Sequence, residues 1–505
     1  MKCYVGIDVG TSSAKALAVD RDGNVLAVHR EEYDLLSPHG GWSEQAPEAW
    51  WTACASALRD LTRDVATLGG QIEAMAVSNQ MHSLVMLDPE RRVLRPAILH
   101  NDARTGAQMR QIAGTLGPEG ERLTHNPIVN GMTLPSLLWV RDNEPENYAR
   151  LRWVLTPGDY VRLRLTDRLA TDHTNASATL LYDFEAGGWS RRTMGLFDLD
   201  PDWFPPCFDS DEAAGTVTEA AGRETGLLPG TPVVFGGADQ VMQSVGCGAI
   251  FPGMATVNIG SGGQVCVQTE RLMDNPAAGV NALVGLYRDR HYMMGANTNA
   301  GSAYKWFCRE ILREADYDAL NREIADVPPG SEGLVFLPYL NGERCPHRSA
   351  ELSGVFWGMT YHTQRRHMAR AVMEGVAYSL LDCLNACVDS GARVERMTAL
   401  GGAVNSPAWL QIQADVYNLP LRTTASREQA VLGAAIAAAV GCSAFSGFGE
   451  ACGRMVRYSE EAVTPSPRRH DVYMRYYDLY RRIYRKAVTE LEEVTRLGRS
   501  GGCEP

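Results

Sequence analysis

Residues 233–240 read Val-Val-Phe-Gly-Gly-Ala-Asp-Gln, an apolar run that ends in two glycines and delivers one carboxylate, Asp239. Three large apolar residues in succession suit a strand buried on both faces, and Gly236 and Gly237 let backbone or ligand come close where it ends. Asp239 is then expected at the carboxyl end of a strand, where open α/β sheets place their ligand crevices. Taken alone, the octamer also describes an acid that caps the following helix, residues 240–245. Partners elsewhere in the chain decide between the two.

One partner lies at the amino end. The stretch YVGIDVGTSSAKALAVD, residues 4–20, alternates as two strands about a Gly-Thr-Ser turn, with Asp8 ending the first strand and Lys15 in the second. Gly10, Thr11, Ser12 and Ser13 bring small side chains and free N–H groups to the tip, the composition of a phosphate-cradling turn. By itself Asp-x-Gly-Thr also fits many exposed hairpins. The layout returns in ATVNIGSGGQVCVQ, residues 255–268. An internal duplication is therefore expected, two domains each presenting one hairpin to a shared cleft.

Two further apolar segments end in polar residues: 72–78 runs into Asn79-Gln80-Met81-His82-Ser83, and 96–99 into His100, Asn101, Asp102 and Arg104. Three polar strand ends in one half of the chain favour a crevice over packed histidines. DHTNAS, residues 172–177, is small and polar and reads as a surface or cleft loop. In the second half, Met368, Val372, Val376, Leu380, Leu384 and Val388 recur at four-residue intervals, the core stripe of a helix over 364–390. The strand at 397–400 runs into Gly401-Gly402, a turn that lets a flat ring or phosphate approach the backbone. Residues 443–467 read as loop, 470–496 as a charged outer helix and 498–505 as a frayed tail.

A chain of 505 residues exceeds a single core, and roughly two to four domains are expected. With 45% apolar and 21% charged residues it is globular rather than disordered, and a net charge of -12 argues against nucleic-acid or anionic-membrane partners. Backbone N–H groups and one metal ion can still hold a nucleotide. The twelve cysteines contain no C-x-x-C and read as free thiols of a reducing cytosol. No signal-peptide core opens the chain, and the Ala-rich run at 430–440 is too short to span a bilayer.

Taken in order, IDVGTSSAK (7–15), GWSEQAPEAWW (41–51), NQMHS (79–83), RPAILHNDAR (95–104), GGADQ (236–240), FLPYLNGERCPH (336–347), GVFWGMT (354–360) and GGAVNS (401–406) resemble the FGGY family of carbohydrate kinases, most closely its xylulokinase branch. The resemblance implies an α/β fold of two actin-like (ribonuclease H-like) domains around a central cleft. Residues 1–246 would bind the sugar and carry the base, 247–445 would bind the nucleotide, and 446–505 would pack on the second domain. ATP and Mg2+ are the implied cofactors. Asp239 corresponds to the general base, Asp8 to the carboxylate holding magnesium through water, with Asp239 facing the same ion. Gly10, Thr11, Ser12 and Lys15 match the first phosphate hairpin, Gly260, Ser261 and Gly262 the second, and Gly401, Gly402 and Asn405 the adenine side. Gln80, Met81, His82, Asn101, Asp102, Asp239 and Gln240 match positions around the sugar.

D-xylulose leads as the implied substrate. His100, Ser136, Gly158, Gln240 and Ser261-Gly262-Gly263 depart from the branch pattern, which keeps gluconate, ribulose or another pentulose or polyol open. The implied partner is a small sugar, with no nucleic acid or membrane, a homodimer compatible, and a cytoplasmic location. A non-catalytic sugar sensor would have lost Asp8 or Asp239, and both are present. An actin-like ATPase acting on proteins would need a client domain, for which only about the last 60 residues remain.

Overall fold

The computed structural model describes residues 1–314, 316–459 and 461–500. Its first sheet has six strands: β1 Lys2–Val9, β2 Ser13–Asp20, β3 Val25–Glu32, β4 Gln71–Asn79, β5 Ala213–Thr216 and β6 Pro232–Ala238, in the order β5-β6-β4-β1-β2-β3. The second also has six: β7 Met254–Ile259, β8 Gly263–Thr269, β9 Asn281–Val284, β10 His291–Asn297, β11 Arg396–Gly401 and β12 Leu421–Arg422, in the order β9-β10-β8-β7-β11-β12. Each contains an antiparallel meander, β1-β2-β3 or β7-β8-β10, continued by parallel strands, β4 and β6 or β11 and β12. The duplication expected from the two hairpins is thus a duplication of sheet topology.

Parallel neighbours need crossovers, and these are helical. Helix α1, Pro47–Thr67, joins β3 to β4 with Pro47 at its start, where the missing N–H costs nothing. It buries Trp50, Trp51, Cys54, Leu58 and Leu61 against the first sheet. Helices α2 (Pro157–Thr166) and α3 (His173–Ala176) follow, then α4 (Asp239–Gly246), directly after β6. In the second half stand α5 (Gly301–Trp306), α6 (Arg365–Val388), α7 (Pro407–Tyr417) and α8 (Gln429–Gly441). Among the described residues α6 is the one helix long and apolar enough to cross a membrane, but 89% of that stretch lies buried inside the fold. Val372, Val376 and Leu380 of its stripe are wholly enclosed.

The halves are joined by close backbone packing. A Cβ on Gly433 of α8 would stand 1.8 Å from the Met242 carbonyl oxygen of α4, and one on Gly246 of α4 would stand 1.8 Å from the Gln429 carbonyl oxygen. One on Gly6 of β1 would come within 2.0 Å of the Val431 carbonyl oxygen. Helix α8 follows the second sheet in sequence, yet it packs with Tyr4, Leu17, Val19, Ala74 and Ala76 of the first sheet in one apolar cluster. Glycine at these contacts lets two helices and a strand meet main chain to main chain.

Residues 443–467, expected as loop, contain helix α9, Phe448–Met455, whose Phe448, Ala451 and Cys452 face the same cluster. Segment 446–505 divides. Arg454 and Arg457 reach Asp22 and Asn24 at the β2–β3 turn, whereas helix α10, Pro467–Ser500, buries Tyr473, Tyr477 and Tyr480 in the core of the second half. Of the tail expected over 498–505, residues 501–505 lie outside the described residues, and α10 continues through Ser500. Every described cysteine is free.

Gly433→Ala should lower stability by about 2–4 kcal/mol, because backbone rather than a flexible side chain must yield. Urea denaturation of the two proteins measures this, and an unchanged midpoint would remove the α4–α8 contact as the joint.

Candidate active site

Strand β6 slips its register against β4 between Val234 and Gly236, so Phe235 bulges. Gly236 then takes a φ of 68°, and a Cβ there would stand 2.2 Å from the Val77 carbonyl oxygen. At Gly237 a Cβ would stand 2.6 Å from Thr174 Oγ1. The two glycines admit neighbouring protein, β4 and Thr174, rather than a ligand. Asp239 emerges as the first residue of α4, half-buried, its Oδ1 accepting the Gln240 N–H at 2.8 Å. It follows the capping position, Ala238, so the helix-cap alternative does not hold.

Asp8 ends β1 beside Ser78 of β4, whose Oγ donates to it at 2.7 Å. With β4 between them, the two acids stand at the same edge of the sheet. Burial, then the charge of Asp8, pushes the Asp239 carboxyl up to about 7, opposed by the Gln240 N–H. Burial also raises Asp8, against the pull of Ser78 and Lys15. Neither acid has an ion-pair partner among the described residues. Two carboxylates raised by burial, Asp239 further by the charge of Asp8 and Asp8 only partly offset by Lys15, are a donor set that suits a hard divalent ion. No cluster of three or more His, Cys, Asp or Glu side chains able to hold a metal occurs among the described residues.

Lys15 faces Asp8 across β1–β2, and its Nζ lies 2.5 Å from Oε2 of Glu428, the residue preceding α8. This ion pair ties the first hairpin to the second half. At the tip, Gly10 and Thr11 have their carbonyl oxygens taken by Tyr33, Gln80 and Gln45, while Ser12 is exposed. The second hairpin opens on a pocket of about 690 Å³ lined by Gly260, Ser261, Lys305, Gly402 and Asn405 among others. The Gly260 and Ser261 carbonyls accept the N–H groups of residues 300–302 at 2.9 to 3.1 Å. Gly401, with φ 80°, packs behind the tip: a Cβ there would lie 2.4 Å from the Ile259 carbonyl oxygen. A Cβ on Gly262 would lie 2.9 Å from the Asn297 carbonyl oxygen.

On the expected sugar side the residues divide. Gln80 and Asp102 were expected to meet the sugar, but Gln80 is buried against Gly10 and Gln45. The enclosed Asp102 carboxylate accepts the Ser43 N–H at 2.7 Å and the Arg104 guanidinium at 2.7 Å. Both are consumed in shaping the wall. Asn101 is exposed and its amide makes no hydrogen bond among the described residues. Met81 is buried, its sulfur 4.0 Å from Tyr292 Oη of the second half, and Gln240 is buried beside Cys266. Of the departures, Gly158 sits where a Cβ would be 2.2 Å from Asn79 Oδ1, and Ser136 is wholly enclosed. Neither opens on the cleft.

His82 holds a φ of 67°, and its Nδ1 donates to the Ala178 carbonyl at 2.6 Å. A carbonyl only accepts, so Nε2 is left as acceptor. Burial, together with the charge of Arg344, lowers His82 to about 4, and burial with His82 and Arg344 lowers His100 to about 4. The His100 Nδ1 is enclosed without a partner. Both imidazoles are therefore neutral near pH 7, and both feel the charge of Arg344, contributed by the other half. Arg344 makes no ion pair among the described residues, and its N–H donates to the buried Glu343, which also holds the Thr298 N–H at 2.8 Å. The sequence analysis gave Arg344 no role; its presence in FLPYLNGERCPH was the available signal.

DHTNAS, expected as a surface or cleft loop, is enclosed throughout: residues 171–182 are all buried. Its polar atoms are paired internally. Asp172 accepts from Arg162, Asn175 and Thr174, Thr174 accepts from the Ala238 N–H, and Asn175 exchanges amide bonds with Asn79.

Two repeated sheets about a cleft, with strand-end acids on one wall and a glycine-lined pocket on the other, define a phosphotransferase of the actin-like type. Residues 3–246 match the N-terminal domain, and 255–442 the C-terminal domain, of the FGGY family of carbohydrate kinases. The chain is 32% identical over 486 residues to the xylulose kinase of Lactococcus lactis subsp. lactis (strain IL1403), covering 96% of this chain and 97% of that one. It is 33% identical over 486 residues to the xylulose kinase of Bacillus subtilis (strain 168), covering 96% and 97%. The crystal structure of a xyloylose kinase from Brucella ovis superimposes with a TM-score of 0.91 at 31% identity, covering 96% of this chain and 99% of that one. The chain belongs to the FGGY family, and it is an ATP-dependent sugar kinase.

The raised Asp239 carboxyl has a consequence for stability. Its folded value, about 7, exceeds the ordinary 3.8, so the folded state binds the proton more tightly, and stability falls as pH rises between those values. Asp239→Asn, which cannot ionise, should melt above the parent by a few °C at pH 8 and by little at pH 4, in the absence of nucleotide and magnesium. A difference independent of pH in scanning calorimetry would refute the burial of this charge.

Proposed function

We propose that this kinase transfers the γ-phosphoryl group of ATP to the 5-hydroxyl of D-xylulose, with Asp239 as the base. The carrying observation is Asp239: half-buried at a strand end, without a cationic partner, and with a carboxyl raised to about 7. Phosphoryl transfer asks chiefly for in-line positioning and charge neutralisation, so one carboxylate within reach of the attacking hydroxyl suffices. The hydroxyl proton passes to an Asp239 oxygen as the new oxygen–phosphorus bond forms and the bond from the γ-phosphorus to the bridging oxygen breaks, with ADP leaving. Asp8 and Asp239 would hold a magnesium ion, with water and phosphate oxygens completing its shell; when bound it neutralises charge on the β- and γ-oxygens.

Triphosphate would lie between the two hairpins, its γ-end toward Gly10, Thr11 and Ser12 and its β-end toward Gly260, Ser261 and Gly262. The ring would rest beside Gly401, Gly402 and Asn405. Lys15 would serve through Asp8 and Glu428 rather than by gripping phosphate. The sugar would be held by His82, Asn101 and Gln240, with Met81 beneath it. The free cysteines suit a reducing, cytoplasmic setting. A second reading is favoured by Arg344, whose guanidinium has no ion-pair partner among the described residues and whose charge reaches His82 and His100: an acceptor carrying a carboxylate at the end remote from Asp239, such as gluconate. Initial rates of ADP formation with D-xylulose, D-ribulose, L-ribulose, gluconate and glycerol separate the two. Highest kcat/KM for D-xylulose supports the first, and highest for gluconate replaces it with the second.

Asp239→Asn should cut sugar phosphorylation by roughly a thousandfold while nucleotide binding persists. Unchanged turnover would dismiss Asp239 as base. His82→Ala should raise the sugar KM by about tenfold, the worth of one hydrogen bond, with the ATP KM unmoved. The reverse pattern in steady-state kinetics would misplace the sugar.

A further inference from the structure

The turn that delivers Asp239 is held at both ends by one buried assembly. At its start, Arg162 Nη1 of α2 donates to the Phe235 carbonyl at 2.9 Å. At its end, the Ala238 N–H donates to Thr174 Oγ1 at 2.7 Å. The two anchors are connected, because Arg162 Nη2 reaches Asp172 Oδ2 at 2.9 Å and the Thr174 hydroxyl donates to Asp172 Oδ1. A hydroxyl has one proton to give. Having accepted from Ala238, Thr174 is fixed by giving its proton to Asp172, and the polarity of the chain is set from Arg162 to the residue before Asp239. Asp172 and Thr174 are 0% and 1% exposed, so water does not substitute for any member.

The same short segment touches the other parts of the cleft. Asn175 is paired with Asn79 at the end of β4, at 3.0 and 3.1 Å. Ser177 Oγ accepts the Val284 N–H of the second half at 3.1 Å, and the Ala178 carbonyl holds His82 at 2.6 Å. Within seven residues the chain contacts the base's turn, the β4 end, the opposite half and the pocket histidine.

From this geometry we infer that Thr174 is a positioning residue for phosphoryl transfer: its hydroxyl, oriented by Asp172 and Arg162, fixes the direction in which Asp239 meets the acceptor hydroxyl. The inference rests on the reading of Asp239 as base. Backbone bulges and left-handed glycines relax unless something over-determines them, and here the over-determining group is a single hydroxyl between two anchors. Displacing a reacting group by about 1 Å costs up to a hundredfold in rate.

Thr174→Val keeps the volume and removes the hydroxyl. Its kcat should fall by about tenfold to a hundredfold, with the KM values for ATP and sugar within about threefold of the parent, since neither binding surface includes Thr174. Thr174→Ser, which restores the hydroxyl, should recover most of the turnover. If Thr174→Val does not fold, as judged by its thermal melt, Thr174→Ala removes the same hydroxyl and is read by the same split between kcat and KM. A folded variant without the hydroxyl and with parental kcat overturns the inference, as does a serine variant no better than valine. Asp239→Asn in the same assay keeps the failures apart: if it turns over normally, the base assignment falls first; if it is inactive while Thr174→Val is fully active, only the positioning role falls.

Discussion

The arrangement depends on two acids brought to the same end of three parallel strands, β1, β4 and β6. β4 runs between β1 and β6, so the chain delivers Asp8 on one side of it and Asp239 on the other, about 10 Å apart by strand spacing alone. Both emerge where the strands stop and the main chain turns away from the sheet. Asp239 has no basic side chain beside it among the described residues, and Lys15 offsets the burial of Asp8 only in part. Two half-buried carboxylates with one partial counter-charge, Lys15, leave a demand for positive charge at that point, and other elements of the first half serve to keep them there. Ser78, the Phe235 bulge, the two glycines and Thr174 each restrict where one acid can go.

The second half is attached to this edge in two ways of unequal strength. Polar contacts cross between the halves: the ion pairs of Lys15 with Glu428 at 2.5 Å and Arg348 with Glu121 at 2.6 Å, and a hydrogen bond between His125 and Asp274. Partly exposed pairs of this kind are worth about 0–1 kcal/mol each. The shared apolar cluster of α4, α8 and the first sheet is far larger, and its glycines exclude even a methyl group. Joining therefore rests on the helices, while the ion pairs bias how the halves lie. That division suits a molecule whose walls must approach and part without the hinge coming loose.

Much of this was legible in the sequence, for identifiable reasons. The hairpins at 4–20 and 255–268 declared themselves because strict alternation about small residues leaves few other conformations, and the repeat of that layout announced the second sheet. Asp8 and Asp239 could be picked out because apolar runs stopped at them. What stayed hidden was direction and enclosure. Gln80 and Asp102 follow apolar runs just as His82 does, yet their side chains turn into the wall, a matter of side-chain direction that spacing does not encode. DHTNAS is polar, and polarity was read as exposure; its carboxylate finds Arg162 on the preceding helix, and its hydroxyl and amide find Ala238 and Asn79, 64 and 96 positions away. Arg344 was missed because it is contributed by the opposite half, and no local pattern tells a loop arginine that its charge will reach two imidazoles.

Helix α8 carries a practical consequence. Although it lies nearly two hundred positions beyond β6 in the chain, it roofs Tyr4, Leu17, Val19, Ala74 and Ala76. A fragment ending at residue 246 would keep its whole sheet but expose that apolar surface to water, and the complementary fragment would carry a lone greasy helix with nothing to cover. The two family segments are units of ancestry, therefore, and not of independent solubility: cut apart, each would seek the missing surface on a neighbour, and the easiest neighbour to supply it is another copy of the same polypeptide.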